Sequence, residues 1–366
     1  MQRRSFLKHA SLGAAAGGAV VAAPALAQDM PSVSWRLASS FKPGLPTLYG
    51  AGEAFCRYVD EASGGRFRIR PSAQGSDGVQ VFEAVAGGAV DCGHGFASAC
   101  FAKDPALCFD SAVPFGMNAR QMNAWMLEAD GLKLTRDLYQ PHQIINLPLG
   151  NTGVQMGGWY RKEIKTLADL KGVRMLTAGL AGEVLARLGV VPQQVAADEV
   201  AGALGKDTLD AVEAASPSDD EALGLQKLAP YYYYPSWWEG GAQATLYISA
   251  PAWDKLPRHY RSLVEAASRA AHASVTARYD ARNPAALSRL TAAGAQLRAF
   301  PRAVLDAAFE ASTEVYRALA DKDPRFKAIH GNYMGFRDQL LPWFRVSESA
   351  YDQYLMSMAL AAGRQR

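Results

Sequence analysis

The stretch whose reading decides the fold opens with Ser34-Trp-Arg-Leu-Ala-Ser39, runs through residues 48–62, and closes with Arg66-Phe-Arg-Ile-Arg-Pro71. Its first and last segments alternate apolar and polar side chains, the period of a half-buried strand. Between them apolar residues recur at helical spacing until Gly64-Gly65 stops the run. The order is strand, helix, strand. It repeats downstream, with a helix over residues 79–85 ended by Gly87-Gly88 and a short strand in Val90-Asp-Cys-Gly-His-Gly. Repeated alternation of this kind predicts α/β layers around a mostly parallel sheet.

A second α/β unit follows residues 151–160. Thr166-Leu-Ala-Asp-Leu-Lys-Gly-Val-Arg-Met-Leu176 reads as a short helix, a glycine stop and a strand. Residues 181–188 and 199–205 read as helices, and Leu209-Asp-Ala-Val-Glu213 as a strand. Residues 258–280 form a long amphipathic stretch without Gly or Pro, suited to a helix packed across both units. Further helices are expected over 304–319 and 347–360, separated by Pro342-Trp343-Phe344. The last one has an apolar face (Tyr351, Tyr354, Leu355, Met358) outside both units, so a second subunit is one place to bury it.

Composition narrows the function. The 366 residues are 49% hydrophobic and 20% charged, which describes a globular chain of two ordinary domains. Of the 38 Lys and Arg residues, Arg3, Arg4 and Lys8 precede residue 28, and the remaining 35 match the 35 acids. A neutral mature chain argues against nucleic acid and against a polybasic membrane contact. The first residues, Met1-Gln-Arg-Arg-Ser-Phe-Leu-Lys, lead into an Ala/Gly-rich apolar stretch and the small-residue pattern Ala23-Pro-Ala-Leu-Ala27. Together they predict an export signal over 1–27, of the twin-arginine type, cleaved before Gln28. The protein is therefore expected in the periplasm. Cys56, Cys92, Cys100 and Cys108 show no metal-finger spacing and read as buried thiols, with one disulfide left open.

Catalytic patterns are scarce. There is no G-x-S-x-G, P-loop, G-x-G-x-x-G or H-E-x-x-H. His94, between two glycines, reads as a core or loop histidine rather than a ligand or base. Asp219-Asp220-Glu221 reads as a solvated helix start favoured by the dipole rather than a cation site. Three segments stand out instead: residues 150–160, where glycines flank Gln155; Asp210-Ala-Val-Glu213, an acid at a strand end; and Tyr231-Tyr-Tyr-Tyr-Pro-Ser-Trp-Trp-Glu239. Aromatics around one acid suit a ligand wall, although the tyrosine run fits a core strand equally well.

At these residues the chain resembles the solute-binding proteins of TRAP (tripartite ATP-independent periplasmic) transporters, in the branch that binds 2-oxo acids and its mannitol/chloroaromatic relatives. The resemblance rests on Trp35-Arg-Leu-Ala-Ser-Ser-Phe, Gly150-Asn-Thr-Gly-Val-Gln-Met-Gly-Gly-Trp, Arg187-Leu-Gly-Val-Val-Pro-Gln-Gln, Pro230-Tyr-Tyr-Tyr-Tyr-Pro-Ser-Trp-Trp-Glu-Gly-Gly and the helix around Asn283-Pro284. It implies a two-lobed periplasmic binding protein fold without enzymatic activity. Lobe 1 would hold residues 28–153 and 243–290, lobe 2 residues 154–242 and 291–340, and residues 341–366 a helix that dimerises by exchange. A Na⁺ or Ca²⁺ ion would be held by Gln155, Glu213, the Ala214 carbonyl and Glu239, beside an organic acid. The TRAP membrane subunits would be the partners. A sensor module of the same fold is the alternative, and a secreted enzyme would need an acid–base pair that is not evident.

The departures from that family shape the expected ligand. The arginine that clamps the ligand carboxylate is replaced by Leu176, with Arg174 two residues earlier on the same strand face. A bulky residue after the metal-binding acid is replaced by Ala214, and a strand-end Asn by Ser249. Trp237 and Trp238 remain as a wall. The ligand expected is bulkier or more apolar than pyruvate, held mainly by the cation.

Overall fold

The structure is a computed structural model that describes residues 30–72, 77–195, 199–213 and 215–363. The export signal expected over 1–27 and the carbonyl of Ala214 lie outside them. From Val33 onward the chain forms one unit. Its strands are β1 (Val33–Ser39), β2 (Phe67–Ser72), β3 (Cys92–Phe96), β4 (Ile144–Asn151), β5 (Trp159–Tyr160), β6 (Arg174–Leu176), β7 (Val191–Gln193), β8 (Ala211–Val212), β9 (Tyr231–Tyr234), β10 (Gln243–Ser249) and β11 (Gln296–Ala299).

They fall into two sheets, ordered β2-β1-β3-β10-β4 and β11-β9-β5-β8-β6-β7. The opening stretch behaves as read. β1 pairs parallel with β2, Val33 opposite Phe67 and Trp35 opposite Ile69, and the intervening helix spans Leu48–Ala62. In each sheet one strand runs against the rest: β10 is antiparallel to β3 and β4, and β5 is antiparallel to β8 and β9. These are the strands on which the chain returns to the first sheet and enters the second. In such α/β sheets the ligand end is the carboxyl edge of the parallel strands. The two reversed strands therefore present their amino ends there, Gln243 for β10 and the segment before Trp159 for β5.

The long helix runs Arg258–Ala292, beyond the expected 280, because Pro284 is accommodated inside it. A proline removes one helical hydrogen bond and crowds the carbonyl one turn back, and the long helix carries that local cost and continues. Its first half packs on β4, where Ser268 Oγ donates to the Pro148 carbonyl at 2.6 Å and the Gly150 N–H donates to His272 Nδ1 at 3.0 Å. Its second half carries Leu290 into a cluster with Trp159 and Tyr232 of the second sheet. One rod thus braces both lobes.

The carboxyl-terminal region corrects an expectation. Pro342-Trp343-Phe344 does not separate two helices: a helix runs Pro324–Phe344, continues through a π turn at Arg345–Ser349, and ends as Ala350–Gly363. Its start was readable, since Asp323 caps Arg325 N and Pro324 occupies the first turn. Tyr351, Tyr354, Leu355, Met356 and Met358 along the last helix are exposed.

Candidate functional site

Three loops at the carboxyl edge of the second sheet are tied together by backbone hydrogen bonds. Ser236 N donates to the Gln155 carbonyl at 2.9 Å, Gln155 N to the Glu239 carbonyl at 3.3 Å, and Met156 N to the Ala215 carbonyl at 3.1 Å. Glu213 N extends the β6–β8 pairing by donating to the Leu176 carbonyl at 3.0 Å. Gly157 lets the first loop pass under Phe300, because a Cβ there would lie 2.3 Å from that ring. The frame sets Gln155, Glu213 and Glu239 around one cavity of about 390 Å³.

The rest of that cavity is mostly apolar: Phe96, Ala99, Ala112 and Pro114 from the first lobe, Leu176, Leu180 and Trp238 from the second. Ser98, Thr177 and the start of the Gly179–Arg187 helix complete it. The two walls meet at Gly179, whose φ is 57° and where a Cβ would stand 3.3 Å from the Ser98 carbonyl. Among the described residues no Lys, Arg or His lines the cavity.

The electrostatics follow from enclosure. Burial pushes Glu213 up to about 7, opposed by the nearby Thr177 hydroxyl and by Trp238, whose Nε1 donates to Glu213 Oε1 at 2.6 Å. Glu239 is raised well above the usual carboxylate range, first by burial and then by the charge of Glu213, while Gln155 favours its ionised form. Two carboxylates repelling each other across a cavity, with an amide oxygen beside them, are a hard oxygen set that fits Na⁺ or Ca²⁺. Among the described residues no group of three or more His, Cys, Asp and Glu forms a metal cluster. The cation-fitting arrangement in this cavity is one amide with two carboxylates.

The structure separates the other expected site residues from this one. Leu176 and Trp238 line the cavity. Arg174 does not: at the amino end of β6 its Nε and Nη2 each donate to Asp210 at 2.8 Å, a bidentate pair facing away from the cleft. Trp237 sits behind Trp238, stacked on Phe115 with centroids 5.5 Å apart. Ser249 lies at the carboxyl end of β10, opposite Ile144, with its N–H on the Asp91 carbonyl. Because β10 runs antiparallel, that is the end remote from Gln243 and the cleft. The tyrosine run is β9, with Tyr232 and Tyr233 buried and Trp159 stacked on Tyr232 at 3.8 Å. His94 is a core residue whose Nε2 meets the Leu149 carbonyl at 3.0 Å, and burial pushes it down to about 4. All four cysteines are free and buried.

Asp219 and Asp220 overturn the solvated reading, for both are buried. Asp219 accepts from Thr47 Oγ1 at 2.5 Å and from the Tyr279 hydroxyl at 2.6 Å. Asp220 accepts from the Tyr232 hydroxyl at 2.5 Å, Trp159 Nε1 at 3.3 Å and Ala215 N at 3.2 Å. Glu221 alone reaches the surface, paired with Arg289 at 2.6 Å. Sequence reasoning missed Thr177 and the helix start at 178–181. The available signal was Ala178 at the cap position, where Ser, Thr, Asp or Asn is expected.

Two sheets with a polar-cornered cleft at their carboxyl edges define a solute-binding protein of the two-lobed class. The bacterial extracellular solute-binding protein family 7 (DctP) matches residues 37–323, and the chain belongs to that family, whose members are TRAP transport receptors and not enzymes. It is similar to the monocarboxylate 2-oxoacid-binding periplasmic protein of Nostoc sp., 39% identical over 363 residues, 98% of this chain and all of that one. A TRAP transporter solute-binding protein of Bordetella bronchiseptica is 43% identical, with TM-score 0.86, covering 91% of this chain and 99% of its own. It is a mixed-occupancy dimer with copurified calcium and picolinate in one active site and an apo second site. A TRAP periplasmic protein of Pseudoalteromonas atlantica with bound sodium and pyruvate is 33% identical, with TM-score 0.84, covering 88% and 99%. No helix among the described residues is long and apolar enough to cross a membrane.

Proposed function

We propose that this chain is the periplasmic receptor of a TRAP transporter for a small monocarboxylate that chelates a cation held by Gln155, Glu213 and Glu239, with the Ala214 carbonyl as a fourth ligand. The observation that carries the reading is the facing carboxylate pair, which repels itself unless a cation or proton lies between its members. The bound cation would supply a positive centre for the acid, while these residues fix where it sits. With Leu176 at the clamp position and an apolar wall, the acid is bulkier or more apolar than pyruvate. A planar acid such as the picolinate of the Bordetella relative supports that choice. The absence of Lys, Arg and His from the lining among the described residues favours a divalent ion, since two carboxylates and the acid bring three negative charges.

Export through Arg3 and Arg4, delivery to TRAP membrane subunits and a homodimer through the exposed face of Ala350–Gly363 belong to the same reading. So do the lobe limits of 28–153 with 243–290 and 154–242 with 291–340. They are supported by the strands of the first sheet falling within 33–151 and 243–249 and those of the second within 159–234 and 296–299. The test is a thermal-shift screen of the mature chain with pyruvate, branched 2-oxo acids and picolinate, each with Ca²⁺, Na⁺ or chelator. The melting temperature should rise only when acid and cation are both present, most with Ca²⁺ and with the planar or branched acids. Tightest binding to pyruvate, or indifference to chelator and Na⁺ removal, overturns the reading.

A further inference from the structure

A carboxylate pair holds a cation only while both members stay aimed at it, and part of what aims Glu213 lies outside the cavity. Trp238 donates its Nε1–H to Glu213 Oε1 at 2.6 Å, so the angle of that indole bears on where the carboxylate points. The indole is set in turn by its neighbour. The Trp237 ring stands edge-on to it, with centroids 4.8 Å apart and planes at 89°. Trp237 is itself covered by Phe115, which reaches over from the first lobe and stacks on it at 16°. The main chain ties the same two residues, the Phe115 N–H donating to the Trp237 carbonyl at 2.7 Å.

Phe115 occupies this place in a strained conformation. Its φ is 52°, in the left-handed region that a glycine enters freely and a bulky side chain rarely does. Gln143 and Asp207 are the other non-glycine residues with positive φ among those described, and neither is aromatic. The turn is pinned from two helices as well. The Tyr316 hydroxyl, from Arg302–Lys322, donates to the Pro114 carbonyl at 2.6 Å. From Pro324–Phe344, Arg337 Nη1 donates to the Phe115 carbonyl at 2.6 Å, and the Tyr333 hydroxyl accepts from the Met117 N–H at 2.8 Å. Strain of this kind persists only where the surroundings over-determine it, and it gathers at functional sites. A glycine at 115 could make the same two main-chain hydrogen bonds without strain. What it could not supply is the ring on Trp237.

We propose that Phe115 is a positioning residue for the cation site: its ring holds Trp237, Trp237 holds the Trp238 indole, and the indole holds the Glu213 carboxylate in place beside Gln155 and Glu239. The role rests on the cation-chelating reading and adds a contribution from the first lobe, which supplies no oxygen to the cation set. Phe115 does not line the cavity, so it acts on the ligand only through the two tryptophans. Its loss should therefore appear in the Ca²⁺ requirement, and only by way of the indole N–H.

The test is calorimetric titration of Ca²⁺ into the mature chain and its variants at saturating picolinate, with a thermal melt of each. Phe115→Ala should raise the Ca²⁺ dissociation constant about fivefold. Phe115→Tyr, which keeps the ring, should stay within twofold of the parent. Trp238→Phe keeps an aromatic ring but deletes the donor, and should by itself raise the constant about fivefold or more. The decisive measurement is the double variant: if Phe115 acts through the indole N–H, Phe115→Ala should add less than twofold in the Trp238→Phe background. Should Phe115→Ala fail to melt cooperatively, Phe115→Leu, with apolar bulk but no flat ring, is read in its place with the same limits. A Ca²⁺ constant within twofold of the parent in that variant overturns the role of Phe115. So does a loss that multiplies with that of Trp238→Phe, which a general loosening of the lobe would give. A parent chain that binds no Ca²⁺ in the presence of picolinate removes the underlying reading and the role of Phe115 with it.

Discussion

Two pairs of enclosed carboxylates lie in the second lobe, and they have opposite surroundings. Asp219 and Asp220 are met by Thr47, Tyr279, Tyr232, Trp159 and the Ala215 N–H, five protein donors for two carboxyl groups. Glu213 and Glu239 have only Thr177, Trp238 and Gln155 between them and otherwise face a cavity and each other. Burial pushes both Asp220 and Glu213 up to about 7, so a raised acid alone does not separate structure from function. What separates them is satisfaction. The first pair staples the long helix and the turn after β8 to the lobe, whereas the second leaves lone pairs pointing where a cation can take them.

Exchanging the charges pair by pair is the sharpest way to break that contrast. Glu239→Gln removes the repulsion, so it should cost the ligand-free protein no stability, or gain it about 1 kcal/mol at pH 8. It should weaken cation-dependent acid binding at least a hundredfold. Asp220→Ala leaves three donors unpaired and should cost roughly 3 kcal/mol in denaturant unfolding, with acid affinity shifted less than tenfold. Stability lost in the first variant and binding lost in the second would reverse the assignment of the two pairs.

A pH series sharpens the same comparison with a smaller effect. Asp110, Asp220 and Glu213 are all raised in the folded chain, Asp110 to about 6 and the other two to about 7, chiefly by burial. A raised acid favours the folded state when protonated. Its contribution is full below the unfolded value near 4 and is lost as pH climbs through the folded one. His94 and His272, which burial pushes down to about 4, run the other way and favour the higher pH. The three acids and Glu239, raised as well, outnumber them, so the ligand-free protein should be more stable at pH 5 than at pH 8. Saturating Ca²⁺ and acid should remove the part due to Glu213 and leave the part due to Asp110 and Asp220. A ligand-free melting temperature that rises between pH 5 and pH 8 contradicts this.

Local pattern carried the fold further than it carried the site. The Leu48–Ala62 helix and its flanking strands were legible because periodicity and glycine stops act over a few residues. Gln155, Glu213 and Glu239 stood out one by one from their local composition, but only the family resemblance joined them into one cation site. Ser249 went astray because a strand's direction is a tertiary fact: read as parallel, the end of β10 belongs at the cleft, and read as antiparallel it belongs at the far edge. Asp219 and Asp220 were misread as solvated because their partners Thr47 and Tyr279 lie 172 and 60 residues away. Thr177 was passed over because the carboxylate it stands beside, Glu213, follows a different strand and comes near it only in the folded chain.

The smallest effect is expected at Arg174, the residue that sequence made the natural substitute for the missing clamp. In β6 it shares a face with Leu176, but position along the strand decides. Leu176 is at the carboxyl end beside Thr177, while Arg174 is two residues back, where the β6 main chain also meets Asp210. There the guanidinium finds a carboxylate that matches its fork, 39% and 28% of the two side chains being exposed. Turning toward the cavity would break two charged hydrogen bonds and leave Asp210 with the Arg174 main-chain N–H in place of the guanidinium. Partial exposure keeps the pair modest in stability, within about 1 kcal/mol. Arg174→Gln should thus lower stability by no more than that, and calorimetry should find acid affinity within twofold of the parent chain at saturating Ca²⁺. A tenfold loss of acid binding would mean that the pair opens when the ligand arrives, restoring Arg174 as the clamp.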